Sequence, residues 1–213
     1  MLDMNHIVLL GDSVFDNKAY VNGWLDVIAQ VRRRIPDVWK VSIRAVDGSV
    51  VEDVRKQALD LPDDATHLVV SVGGNDAIMN AGILRQKVES SAEVLNALAD
   101  IADEFEYRYR EMLGGVLSLN KPTAVCTIYY PRIPEPFTQK IAVAALATFN
   151  DVIIRQAFLA GVPLIDLRLV CDEDSDYANE IEPSEKGGGK IADAIVRLVG
   201  GHNFVSRRTE VFI

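Results

Sequence analysis

The feature that most restricts the fold is an alternation: short apolar runs separated by longer stretches with helical spacing. Runs at residues 6–10, 39–45, 67–72, 123–129 and 163–167 have strand length and little polar interruption. Helical patterns cover residues 21–34, 51–59, 84–113, 137–160 and 184–199. The third of these is long enough to contain a break. Strands that are apolar throughout, each followed by a helix, belong to a parallel sheet buried on both faces. The expected fold is therefore α/β with five parallel strands.

Several boundaries have a chemical cause. Gly161 stands where a left-handed helix cap is expected, and Pro163 blocks continuation. Gly200-Gly201 is read as ending the last helix in the same way, and Pro183-Ser184 as opening it. With 213 residues, 49% of them hydrophobic, one domain over residues 1–202 has material for a full core. Residues 203–213 form a tail that is an extra strand, an oligomer contact or a loose end.

Charge and cysteine content narrow the function classes. The formal net charge of −9 argues against nucleic acid and anionic membranes as partners. The apolar stretch 141–161 is interrupted by Asn150, Asp151 and Arg155, so a buried or amphipathic helix is expected there rather than a membrane span. Met1-Leu2-Asp3-Met4-Asn5 has no basic region and no long apolar stretch, so no secretory signal is expected. Two cysteines, Cys126 and Cys171, indicate no disulfide framework and fit a cytoplasmic protein. The oligomeric state is not readable.

Four blocks follow the strands in order. Gly11-Asp12-Ser13 comes after the first strand, Asp47-Gly48-Ser49 after the second and Gly73-Gly74-Asn75-Asp76 after the third; Glu182-Pro183-Ser184 precedes the last helix. Parallel strands bring such blocks to one rim. There Ser13 is a candidate nucleophile. The Ser13 and Gly48 backbone N–H groups and the Asn75 amide are candidate donors to an oxyanion. Asp12 is expected to fix the turn by accepting from backbone N–H groups.

These serine, glycine and asparagine blocks resemble those of the SGNH, or GDSL-type, esterase and lipase superfamily. The run Val69-Val70-Ser71-Val72-Gly73-Gly74-Asn75-Asp76 is the most specific piece. The resemblance implies a flavodoxin-like three-layer α/β/α fold, ester hydrolysis without a cofactor and an acyl-serine intermediate. It departs in the last block. The superfamily usually carries Asp-x-x-His before Pro-Ser, and here the aligned positions are Asn179 and Glu182.

No other histidine replaces the missing one. His6 and His67 begin strands and belong to the far rim, His6 about 20 Å from Ser13 along an extended chain. His202 follows the last helix, about 27 Å from its start. Glu182 is left as the candidate base, held by a hydrogen bond from Asn179. Its ordinary pKa of about 4.3 would have to rise by burial for it to serve well. The competing role for Glu182 is a helix cap in a protein whose catalysis is lost, and for Asn179 a plain loop position. Asp16, Asn179 and Arg132 are candidate substrate contacts at the pocket edge, with a turn role for Asp16 and surface exposure for Arg132 as the alternatives. No metal site is expected, since nothing in the spacing of Asp12, Asp16, Asp76 and Glu182 demands a cation. The expected function is hydrolysis of a small carboxylic ester. The alternative is a catalytically silent binder of an acyl or sugar ligand in the same cleft.

Overall fold

The computed structural model describes residues 4–213; Met1, Leu2 and Asp3, part of the stretch read for a secretory signal, lie outside the described residues. The strands are β1 (His6–Gly11), β2 (Lys40–Ile43), β3 (His67–Ser71), β4 (Thr123–Cys126), β5 (Leu164–Ile165) and β6 (Val211–Phe212). The helices are α1 (Val27–Arg34), α2 (Val54–Leu59), α3 (Gly74–Met79), α4 (Ser91–Leu117), α5 (Pro136–Ala160), α6 (Leu167–Val170) and α7 (Glu185–Gly201). All strand pairs are parallel, in the order β2-β1-β3-β4-β5-β6.

Strand β1 shows how the three layers arise. All six of its residues are buried. Ile7 and Leu9 point to one side, into a core shared with Val27 and Val31 of α1 and Ile191 and Ile195 of α7. Val8 and Leu10 point to the other, into a core with Val54 of α2, Phe105 and Tyr109 of α4 and Val152 and Ile153 of α5. The alternation of side chains along a strand thus turns one apolar run into the floor of two cores.

The sheet has six strands rather than five. The sixth comes from the tail: Val211 and Phe212 pair with Leu164 and Ile165. The first helix starts at Val27, not at 21, because Asn22 and Gly23 take positive φ (48° and 89°) and Asp26 caps the helix by accepting from the Ala29 N–H at 2.9 Å. The pattern over 84–113 resolves into a 3₁₀ turn, Ala81–Arg85, and helix α4. Gly161 caps α5 in the left-handed conformation. Gly200 and Gly201 do not act alike; both remain helical, and α7 ends on an extended His202.

Two features position the site. The chain passes from β1 to β2 on one side and returns to β3 on the other, so the carboxyl ends of β1 and β3 flank a topological switch point. Helices α4 and α5, at 27 and 25 residues, are about 40 Å long, whereas β3, with five residues, is about 17 Å. Both helices begin on the carboxyl side of the sheet, and their amino-terminal halves overhang that rim. Helix α5 is long and apolar enough to cross a membrane by length and composition alone. Its carboxyl-terminal half, through Phe149, Val152, Ile153 and Ala157, is packed in the core.

Candidate active site

The turn that carries Ser13 is built from backbone contacts that few residue types permit. Gly11 has φ +126°, and a Cβ there would lie 1.7 Å from the Ser71 carbonyl oxygen. Only glycine lets β1 end this close to β3. The Asp12 N–H donates to Ser71 O at 3.1 Å, and Asp12 Oδ1 accepts from the Val14 N–H at 3.1 Å. The Phe15 and Asp16 N–H groups both donate to Asp12 O, which tightens the turn beneath the serine. Gln57, from α2, accepts from the Gly11 N–H at 2.7 Å and donates to Gly11 O at 2.8 Å.

On the opposite side stand the candidate oxyanion donors. Asn75, in the first turn of α3, donates from Nδ2 to Ser49 O at 2.9 Å. This ties the loop after β2 to the loop after β3. Gly48 takes φ +81°, which turns the loop back beside Asn75. Neither the Ser13 N–H nor the Gly48 N–H donates to an acceptor among the described residues. Asp76, next to Asn75, is buried and accepts from the Val51 N–H at 3.1 Å; burial raises its carboxyl pKa and that bond opposes the rise.

Glu182 meets Ser13. The Ser13 Oγ–H donates to Glu182 Oε1 at 3.0 Å. The glutamate is 4% exposed, and its Oε2 has no hydrogen-bond partner among the described residues. Burial pushes its carboxyl up to about 7; the Ser13 bond pulls it down, and the charge of Asp47 pushes it further up. Asp12 is raised as well, to about 8, first by burial and then by the charges of Glu182 and Asp76, against the Val14 bond.

A dense set of contacts holds the glutamate's loop. Tyr177 forms an antiparallel bridge with Pro183, and the Ala178 N–H donates to Glu182 O at 2.8 Å. The Tyr129 hydroxyl donates to Ile181 O at 2.6 Å. Asn17, fully buried, donates from Nδ2 to Pro183 O at 3.1 Å and accepts from the Val27 N–H at 2.9 Å. Asn17 and Gln57 were not singled out in the sequence. A buried polar residue in a loop or short helix looks like a surface one until its partners are known.

Ser13, Asn75 and Glu182 line a single cavity of about 410 Å³, together with Asp12, Tyr129 and a wall that is largely apolar. Gly48 stands outside that wall, one residue from Ser49. The structure brings none of the three candidate substrate contacts into the cavity. Asn179 does not reach the Glu182 carboxylate: its Oδ1 accepts from the Ile181 and Glu182 N–H groups, each at 2.9 Å, because that oxygen closes its own turn. Asp16 Oδ2 accepts from the Asp47 N–H at 3.0 Å, so it joins two rim loops. Arg132 lies over the Tyr177 ring at 4.7 Å, donates to Asp172 O at 2.8 Å and pairs with Asp174 at 3.0 Å, which draws it away from the cleft.

The histidines are occupied elsewhere. His6 contacts Asp64 and Ser42, His67 contacts Thr66, and His202 contacts Glu210. Cys126 and Cys171 are buried free thiols. Asp12, Asp16 and Asp76 each accept from a backbone N–H, and no group of three or more His, Cys, Asp or Glu is placed to hold a metal ion among the described residues.

Comparison with known proteins places this geometry. The model of the GDSL-like lipase/acylhydrolase family matches residues 9–188. No curated protein matches the chain. Among solved structures, the chain is similar to the lipase Lip_vut3 from a goat rumen metagenome, at 14% identity and a TM-score of 0.71 over 95% of this chain and 100% of that one. It is similar to phospholipase A1 from Streptomyces albidoflavus NA297, at 16% identity and a TM-score of 0.65 over 94% and 100%. It is similar also to a lipase/acylhydrolase from Enterococcus faecalis, at 19% identity and a TM-score of 0.65 over 93% and 96%. At these identities the likeness is one of fold, while the family match runs through all four blocks. The chain belongs to the GDSL-like lipase/acylhydrolase family, which acts on small ester substrates.

Proposed function

We propose that the chain is a serine esterase in which Glu182 takes the part usually played by histidine. The observation that carries this reading is the 3.0 Å hydrogen bond from Ser13 Oγ to a buried carboxylate raised to about 7. A base is most useful when its pKa lies near the operating pH, where it is both ionised and able to hold a proton in the transition state.

In acylation, Ser13 Oγ forms a bond to the ester carbonyl carbon while its proton passes to Glu182 Oε1. The carbonyl oxygen becomes the oxyanion, facing the Ser13 N–H and the Asn75 amide, whose Nδ2 carries a second hydrogen beyond the one given to Ser49. When the C–O bond to the alcohol breaks, neutral Glu182 returns the proton to the leaving oxygen. A water then attacks the acyl-serine, gives its proton to Glu182, and the proton goes back to Ser13 as the acid departs. The scheme uses no cofactor.

The test is covalent. A fluorophosphonate probe should label the wild-type protein at Ser13, and Ser13→Ala should abolish both labelling and turnover of p-nitrophenyl esters. Labelling that survives the substitution overturns the assignment. The silent-binder reading predicts no turnover of any ester together with ligand-dependent stabilisation in a melt.

A further inference from the structure

The cavity is far larger than an ester group needs, and its shape has a specific cause. The overhanging halves of α4 and α5 bound it, with Leu98 and Ile101 on one helix and Ala142 and Ala145 on the other. Thr138, Ala142, Ala145 and Phe149 recur at helical spacing, so one face of α5 lines the cavity along its length. The two alanines stand where larger side chains would close the gap between the helices. The floor is Phe149, 4% exposed and packed edge-to-face on Phe105 at 4.8 Å. The polar groups that define the reaction, Ser13, Asn75 and Glu182, share this otherwise mostly apolar space.

We infer that the cavity binds the acyl chain of a medium-chain ester, and that Ala142 and Ala145 set the chain length it accepts. This rests on the esterase reading for the identity of the reacting group. Taking about 30 Å³ for a water-sized group, 410 Å³ holds roughly a dozen such groups, which corresponds to an acyl chain of about eight to ten carbons after the reacting atoms. The acyl half is favoured over the alcohol half by the chemistry. The alcohol must leave before water attacks, and an apolar pocket holding its chain would slow that departure. The acyl part stays bonded to Ser13 through that exchange, and a buried chain holds its carbonyl at the donors.

The experiment is a chain-length series of p-nitrophenyl esters from acetate through butyrate, octanoate and decanoate to palmitate. Wild-type kcat/KM is expected to rise up to about fourfold per methylene as far as octanoate or decanoate, and to fall at palmitate. Ala145→Phe should lower the octanoate-to-acetate ratio of kcat/KM by roughly thirtyfold, the equivalent of losing two to three buried methylenes. Ala142→Phe is the second variant should the first fail to fold by circular dichroism. A parallel series of alkyl acetates separates the two halves of the ester. Preference for a long alkyl acetate over an octanoyl ester overturns the acyl assignment, as does a flat acyl series or a ratio that Ala145→Phe does not move.

A binding arm separates failure here from failure of the esterase reading. Octanoate should raise the melting temperature of Ser13→Ala and not that of Ser13→Ala/Ala145→Phe. If no ester is turned over but this difference appears, the pocket stands and the esterase reading falls. If octanoate has no effect on Ser13→Ala, the pocket assignment falls whatever the turnover.

Discussion

Ser13 Oγ donates to Glu182 Oε1 at 3.0 Å across 169 positions of sequence, while the other carboxylate oxygen is buried without a partner among the described residues. One oxygen is thus aimed at the nucleophile and the other keeps the group short of solvation. If this carboxylate is the base, Glu182→Gln preserves shape and removes proton transfer. The expected result is a fall in kcat of roughly 10²- to 10⁴-fold with KM little changed, measured on a p-nitrophenyl ester. An unchanged kcat rules the glutamate out.

The pH dependence follows from the same group. Glu182 must be ionised to accept the serine proton, and its pKa is raised to about 7. kcat/KM should therefore rise about tenfold per pH unit below that value and level off above it. The residual activity of Glu182→Gln should lack this inflection. A wild-type profile already flat at pH 5 contradicts the assignment.

Stability should run the other way. The folded-state pKa of Glu182 lies above its ordinary 4.5, so the native protein holds this proton more tightly than the unfolded chain does. The stabilising contribution is complete below about 4.5 and is lost as pH rises through about 7. Glutamine never ionises. Glu182→Gln should thus be more stable than wild type at pH 8, by up to about 3 kcal/mol, with the difference vanishing near pH 4. Denaturant melts at the two pH values measure it.

Asn75 is placed to give one hydrogen to Ser49 O and a second to the substrate. Asn75→Ala should reduce kcat by roughly 10²- to 10³-fold, the usual cost of one oxyanion donor. Fluorophosphonate labelling of Ser13 should slow in parallel, since that reaction also develops charge on oxygen. Full-rate turnover in this variant excludes it as a donor.

Tyr129 anchors the base's loop through its bond to Ile181 O at 2.6 Å. Tyr129→Phe leaves that carbonyl short of a partner and should destabilise the fold by about 1 kcal/mol. Because the residue next in line is Glu182, kcat should fall several-fold with a smaller change in KM. A stability loss without any change in kcat would make the tyrosine a purely structural prop.

Much of the architecture was legible because β1, β3 and β4 are apolar on both faces and each is followed by a helical pattern. The placement of Ser13, Asn75 and Glu182 on one rim followed from parallel strands alone. What escaped depends on contacts remote in sequence. A two-residue strand such as β6 has no periodicity to detect, and only Leu164 and Ile165 make it one. Asn179 is the exception, since its oxygen makes an ordinary local turn with the N–H groups two and three residues on, whereas Arg132 stacks on Tyr177, far along the chain. Asn17 was invisible for the same reason, its two partners being Val27 and Pro183.

Asn17 sits four residues after Ser13, just beyond its turn, and grips the chain next to Glu182. The segment that presents the hydroxyl is therefore also the clamp on the acid. A displacement of either carries the other with it, so their spacing is insulated from breathing elsewhere. The two-residue edge strand β6 can fray at the sheet's margin without disturbing the distance on which proton transfer depends.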